Sequence, residues 1–185
     1  MNQSLAKSRP NGVAILSVRP ITANDWRSYK NLRLRALQES PDAFGSTYAH
    51  ESTRDDPAWK ERVATVTNVS SAQAFLGIYN EVVHGLIWCK ASDADHELVE
   101  IFQMWVAPEA RGLGIGRALL ETAVAWAESR GAVRVRLDVT IAGSPAMQLY
   151  KTSGFEPVGP AEHLRPDSIL MSQTMELRLR ADQLR

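Results

Sequence analysis

The stretch from Val106 to Leu120, with Arg111-Gly112-Leu113-Gly114-Ile115-Gly116-Arg117 at its centre, constrains this chain more than any other. Before it, the apolar segment Glu97 to Val106 reads as a strand ended by Pro108. After it, Ile115, Leu119, Leu120, Ala123, Val124 and Ala127 recur at helical spacing, which predicts a helix over Gly114 to Arg130 with Gly131 as its left-handed terminator. A strand, a glycine-rich loop and a helix therefore follow one another directly. The first turn of a helix carries unpaired N–H groups and the positive end of the helix dipole, and glycines let an anionic ligand approach that backbone. The loop reads as a phosphate cradle. A P-loop needs Gly-x-x-x-x-Gly-Lys-Ser/Thr, and counting from Gly112 the sixth position, where the second glycine should stand, is Arg117. A dinucleotide fingerprint would need a third glycine where Arg117 or Leu119 stands. Both nucleotide patterns fail.

The rest of the chain supplies partners for this unit. Val13 to Val18 reads as a first strand stopped by Pro20, and Thr22 or Asn24 caps a helix from Asp25 to Gln38. Asp56-Pro57 opens a second helix to about Thr65. Ala72 to Tyr79 and Val82 to Lys90 form a hairpin about the turn Asn80-Glu81. Val133 to Val139 alternates apolar and charged residues as a strand, Ser144-Pro145 starts a short helix to Thr152, and strands follow at Phe155 to Val158 and Ile169 to Leu179. The order predicts an α/β domain with a mixed sheet over residues 13–180, with residues 1–12 as a loose leader and 181–185 as a tail. The unit from 97 to 139 can close as a right-handed crossover.

Composition narrows the functional classes. Lys plus Arg and Asp plus Glu number 21 each, so no net charge argues for nucleic acid or an anionic membrane as partner. No run of about 18 apolar residues suggests a membrane span, and residues 1–10 lack the apolar core of a signal peptide, so a cytoplasmic location is the default expectation. Cys89 is the one cysteine, which excludes an intrachain disulfide; His50, His84, His96 and His163 lack metal-ligand spacing, so no metal is expected. Cys89 reads as a buried structural thiol and the pair Arg134/Arg136 as a solvated strand face.

The pattern Arg111-x-x-Gly114-x-Gly116 after Val106-Ala-Pro108 resembles the acetyl-CoA signature of the GNAT superfamily of N-acetyltransferases, Arg/Gln-x-x-Gly-x-Gly/Ala after a strand ending in Val-x-Pro. Ala146-x-x-Leu149-Tyr150-x-x-x-Gly154-Phe155 is similar to a second family segment, and Arg33-Leu-Arg-Ala-Leu37 with Pro41-x-Ala43-Phe44 to the N-terminal helices of many small-molecule members. The resemblance spans residues 13 to 179. It implies a mostly antiparallel sheet flanked by helices, splayed at the cofactor site. Backbone groups of Met104, Trp105 and Val106 would pair with the pantetheine arm of acetyl-CoA, an N–H near Val106 would polarise the thioester carbonyl, and Arg111 to Arg117 (Arg111, Gly112, Leu113, Gly114, Ile115, Gly116 and Arg117) would hold the pyrophosphate. Tyr150 matches the family tyrosine near the cofactor sulfur, a general acid for the departing thiolate. Glu100, six residues before Val106, matches the glutamate that several members use as base. By strand alternation it shares a face with Phe102, Met104 and Val106, an apolar setting that would raise its pKa; Glu97, His96 or a water chain are rivals. The pattern departs at Gly143, where many members carry an asparagine that helps hold the cofactor; Thr140 or Ser144 are candidate substitutes.

These readings point to acetyl transfer from acetyl-CoA to a primary amine, with a small-molecule acceptor as the leading expectation. A protein or peptide amine, or a non-catalytic CoA-binding regulatory module, are the alternatives. Segments 40–56 and 160–168 are expected to shape the acceptor site, and a homodimer is expected by family analogy alone.

Overall fold

The computed structural model describes residues 14–166 and 168–179. The expected leader over 1–12 and tail over 181–185 lie outside the described residues. Strand β1 (Leu16–Pro20) is shifted towards the C-terminus from the expected run and includes Pro20. It tolerates the proline because it is the edge strand of the sheet, pairing antiparallel with β2 (Ala72–Tyr79) alone. Helix α1 (Trp26–Glu39), the one-turn α2 (Tyr48–Glu51) and α3 (Asp56–Asn68) intervene. The sequence did not show α2, because four residues are too few for a period. Asn80 and Glu81 both take positive φ, 49° and 68°, the turn that matches strand twist, and join β2 to β3 (Val82–Ala91).

Next come β4 (Leu98–Val106), α4 (Ile115–Ser129), β5 (Arg134–Thr140), α5 (Pro145–Thr152), and the strands β6 (Glu156–Pro157), β7 (Glu162–His163) and β8 (Met171–Arg178). The sheet order is β1-β2-β3-β4-β5-β8-β6, with β7 also on β8. Every pairing among the described residues is antiparallel except β4 with β5, which are parallel and joined through α4 as the crossover predicted. The fold is the expected mixed, mostly antiparallel sheet between helices.

Each face of the sheet has its own core. On one, Ile115, Leu119, Ala123 and Ala127 of α4 pack on Ile87, Ile101, Val135, Leu137 and Met175. On the other, Tyr29, Leu37 and Trp59 of α1 and α3 pack on Leu76, Leu86 and Trp105. The helix α4 approaches the sheet over glycines: a Cβ on Gly77 would lie 2.5 Å from Ile115 Cγ2 and 3.3 Å from Leu119 Cδ1. Ile115 is β-branched and cannot rotate away cheaply. Gly77→Ala is therefore expected to destabilise the fold by about 1–3 kcal/mol, read from the urea midpoint. An unchanged midpoint would show that α4 can lift without cost.

The Arg134/Arg136 face is not simply solvated. Across the β5–β8 ladder, Arg136 stands opposite Glu176 and donates to it at 2.7 Å, while Arg134 donates to Asp95 at 2.6 Å. Glu176 is buried under this network. Its partner is 40 residues away in sequence, so only strand pairing reveals it.

Candidate active site

The site is centred where β4 and β5 part. Their ladder runs from Leu98↔Arg134 to Ile101↔Leu137, and β4 continues to Val106 without a partner on that side. Ala107 N–H donates to His84 O at 2.7 Å on the β3 side. Alternation then turns the backbone groups of Trp105 towards β3 and those of Met104 and Val106 into the gap. Of the three expected arm-pairing residues, Met104 and Val106 are placed to serve; Trp105 is not, because its peptide groups face β3 and its indole packs under α1.

A β-bulge interrupts β4 inside the gap. The register with β3 jumps between Leu86↔Trp105 and Trp88↔Phe102, and Gln103 takes φ +54°, left-handed for a non-glycine residue. The extra residue reverses the alternation. Val99 and Ile101 before it and Met104 and Val106 after it all face the α4 core. Glu100 and Phe102 therefore point to the opposite face, which corrects the expectation that Glu100 shares a face with Met104 and Val106. Its cross-strand neighbours are Lys90 and Arg136, so its setting is charged rather than apolar. Tyr29 Oη donates to Gln103 Oε1 at 2.9 Å and pins the bulge from α1. The bulge carries no glycine or proline signal, so the sequence could not announce it.

The glycine loop lies beside the gap as the sequence predicts. Gly112 and Gly114 have φ of 80° and 85°, conformations that strain a side-chain-bearing residue. Ala118 is the first α4 residue whose N–H bonds back, to Gly114 O at 3.0 Å, which leaves the amides of Ile115, Gly116 and Arg117 without intrahelical partners. Ile115 is buried and serves packing with its side chain; Leu113 and Arg117 are exposed. A Cβ on Gly116 would meet Leu149 Cδ2, Met104 Cε and Val106 Cγ2 at 3.5 to 3.7 Å, so α4, α5 and β4 come together at Gly116. Glycines, free amides and a strand edge fit a pyrophosphate continued by an amide-bearing arm. The Arg111 side chain does not point at this cradle. It forks onto Glu39 at 3.2 and 2.7 Å and donates through Nε to Val106 O at 3.1 Å.

Tyr150 on α5 is buried, with its hydroxyl donating to Met104 Sδ at 3.4 Å. Burial pushes its phenol well above the usual tyrosine range. Ser144 Oγ accepts the Met147 N–H at 3.2 Å as the N-cap of α5, and Thr140 Oγ1 donates to Asp42 O at 2.6 Å. Both candidate stand-ins for the family asparagine are thus engaged locally. Gly143 borders an open cleft of about 400 Å³ with Ala142, Gln148 and Lys151.

The face onto which Glu100 turns is also where segments 41–47 and 162–170 meet. Arg165 Nη1 donates to Pro41 O and Phe44 O at 3.1 and 3.0 Å, and a second cleft of about 550 Å³ is lined by Asp42, Thr47, Arg165, Ser168, Ile169 and Leu170. Glu51, within segment 40–56, is buried, accepting from Arg54 and Arg62 at 3.0 and 3.3 Å. Glu97 and His96 are exposed at the turn into β4. Cys89 is fully buried, and burial pushes its thiol up to about 12. Among the described residues no cluster of His, Cys, Asp and Glu could hold a metal, and no helix is long and apolar enough to cross a membrane.

The chain is similar to known proteins in sequence and in fold. Two mycothiol acetyltransferases, from Thermobispora bispora and Salinispora arenicola, are each 29% identical, over 150 and 147 residues. The matches cover 81% and 79% of this chain but 48% and 45% of those proteins, so the chain spans about half the length of these relatives. A GNAT-family acetyltransferase from Streptococcus pneumoniae superposes with a TM-score of 0.76 at 18% identity, covering 90% of this chain and all of that one. An acetyltransferase of Salmonella typhimurium, solved with its cofactor acetyl-CoA, gives 0.75 at 18% identity over 90% of this chain and 95% of that one. The family model described as "Acetyltransferase (GNAT) family" matches residues 33–155, two thirds of the sequence, and the chain belongs to that family.

Proposed function

We propose that the protein moves the acetyl group of acetyl-CoA to a primary amine of a small molecule, by direct attack while both are bound. The observation that carries this reading is the convergence at one point of three parts: the glycine loop opening α4, the unpaired edge of β4 at Met104 and Val106, and the buried Tyr150 hydroxyl. The name of the mycothiol acetyltransferases, to half of which the chain is similar, favours a small acceptor.

In this reading the amides of Gly112 to Arg117 hold the pyrophosphate, with the exposed Arg117 as the cation nearest the helix end. Met104 and Val106 pair with the pantetheine arm. Because Tyr150 reaches β4 at Met104, the thioester sulfur belongs at that level, and the Met104 N–H is the better placed donor for the carbonyl. The amine comes from the face of Glu100, between segments 41–47 and 162–170. Its nitrogen attacks the thioester carbon and loses a proton to Glu100, through water where the distance requires it. The C–N bond forms, the C–S bond breaks, and Tyr150 gives its proton to the departing sulfur and regains one from solvent. Lys90 is already held by Asp93 at 2.6 Å and Arg136 by Glu176, so both flanking cations are engaged elsewhere and Glu100 stays available as a base.

The test is thiol release from acetyl-CoA with a panel of polyamines, amino acids, aminoglycosides and short peptides, alongside the thermal shift with CoA alone. The buried Cys89 adds no background thiol while the protein is folded. Amine-dependent release with a CoA shift supports the reading, and the responding class separates small molecules from peptides. A CoA shift with no release from any amine favours a binding module. No shift at saturating CoA, where about 2.7 kcal/mol is expected at a hundredfold excess over Kd, overturns it.

A further inference from the structure

We propose that Arg111 and Glu39 act together as positioning residues for the transfer, setting the end of β4, and that the Arg111 side chain is not an anion ligand. The proposal rests on the functional reading above and concerns the same site. Three of the five guanidinium N–H groups of Arg111 are used inside the protein: two on the Glu39 carboxylate and Nε–H on Val106 O. Val106 is one of the two β4 residues whose peptide groups open into the gap. Glu39 holds the neighbouring residue too, accepting from Trp105 Nε1 at 3.2 Å and from the Ser40 hydroxyl. One carboxylate at the end of α1 thus fixes the side chain of Trp105 and, through Arg111, the carbonyl of Val106.

A second pair repeats the tie. Arg35, one turn before Glu39 on α1, forks onto Glu109 at 2.8 and 2.6 Å, and its guanidinium lies 5.7 Å from the Trp105 ring. Each segment therefore sends an arginine to the other's glutamate, and the acceptor-side helix α1 is bolted to the loop that leads into the glycines. Arg111 beside it keeps the Glu39 carboxyl down at about 2, so the pair is intact at any pH at which the enzyme would be assayed. Arg117 has no ion pair among the described residues and is the free cation at the α4 N-terminus. A planar fork that must meet Glu39 and Val106 together cannot be replaced by lysine, whereas a site that needs only a positive charge beside a phosphate keeps that charge in lysine.

The experiment compares Arg111→Lys, Arg111→Gln, Glu39→Gln and the double variant Glu39→Gln/Arg111→Gln in the full chain. Kd for CoA is measured by calorimetry, and kcat with the amine that responds best in the thiol-release panel. The expected result is a loss of kcat of about tenfold in each single variant, Arg111→Lys included, with Kd for CoA within twofold of the parent. The double variant should be no worse than the worse single, because the two residues act as one unit. Retained Kd in Arg111→Lys with a tenfold weaker Kd in Arg111→Gln would overturn the proposal in favour of an anion ligand. Unchanged kcat in Glu39→Gln or in Arg111→Lys would overturn it equally. Failure of the parent protein to bind CoA would be a different result, sinking the functional reading itself.

Discussion

Tyr150→Phe is expected to lower kcat by about 10² to 10³ while leaving the KM for acetyl-CoA within about threefold, the loss associated with a missing general acid. The ring is buried against Phe155, with centroids 6.0 Å apart, and phenylalanine keeps that packing. What is removed is one hydroxyl whose single side-chain partner is the weak acceptor Met104 Sδ. Stability should therefore change little, and the CoA thermal shift should match the parent. The pH profile offers a second check. Burial raises the phenol pKa, so Tyr150 stays protonated above the range in which an ordinary tyrosine, near 10, would ionise. Any alkaline fall in kcat due to this group lies above that range. Steady-state kinetics with unchanged kcat would remove Tyr150 from the mechanism, and an equal loss in CoA affinity would recast it as a binding residue.

The second large effect is expected at the glycine loop. Gly114→Val places a β-branched residue at φ +85°, a conformation that costs about 1–3 kcal/mol for a residue with a Cβ and most for a β-branched one. The loop relieves that strain by moving, and the amides of Ile115, Gly116 and Arg117 move with it. CoA affinity should fall by at least about tenfold to a hundredfold, since each 1.4 kcal/mol is a factor of ten. Gly116→Ala is the contrast: its Cβ meets side chains at ordinary distances of 3.5 to 3.7 Å and its φ is not left-handed, so binding should stay within a few-fold. Calorimetry with CoA distinguishes the two. Equal, small effects at both positions would show that the phosphate is held elsewhere.

The segments that the sequence revealed most accurately are those with strong local grammar. Ala72 to Tyr79 matches β2 at both ends, and Gly131 terminates the α4 segment with φ 77° as its position suggested. The left-handed glycines before α4 were legible because their signal is local: glycine spacing, helix start and preceding proline lie within a dozen residues. The place of Tyr150 on a short helix was legible because a short segment carries it. The candidate base was only half legible. Glu100 was identified, but its direction was reversed by the bulge at Gln103, which breaks the alternation rule with no glycine or proline to mark it.

By itself, then, the sequence determined the order of the main elements, without α2 and β7, the glycine loop at the head of α4, the tyrosine on α5 and the buried, inert Cys89. These depend on residues near one another in the chain. Only the tertiary structure decided which way Glu100 faces, that Trp105 turns its peptide to β3, and that Arg111 is taken by Glu39, 72 residues away. Those outcomes depend on strand register and on pairs of charges brought together by folding. A period of two or 3.6 residues carries no information about a partner on another element.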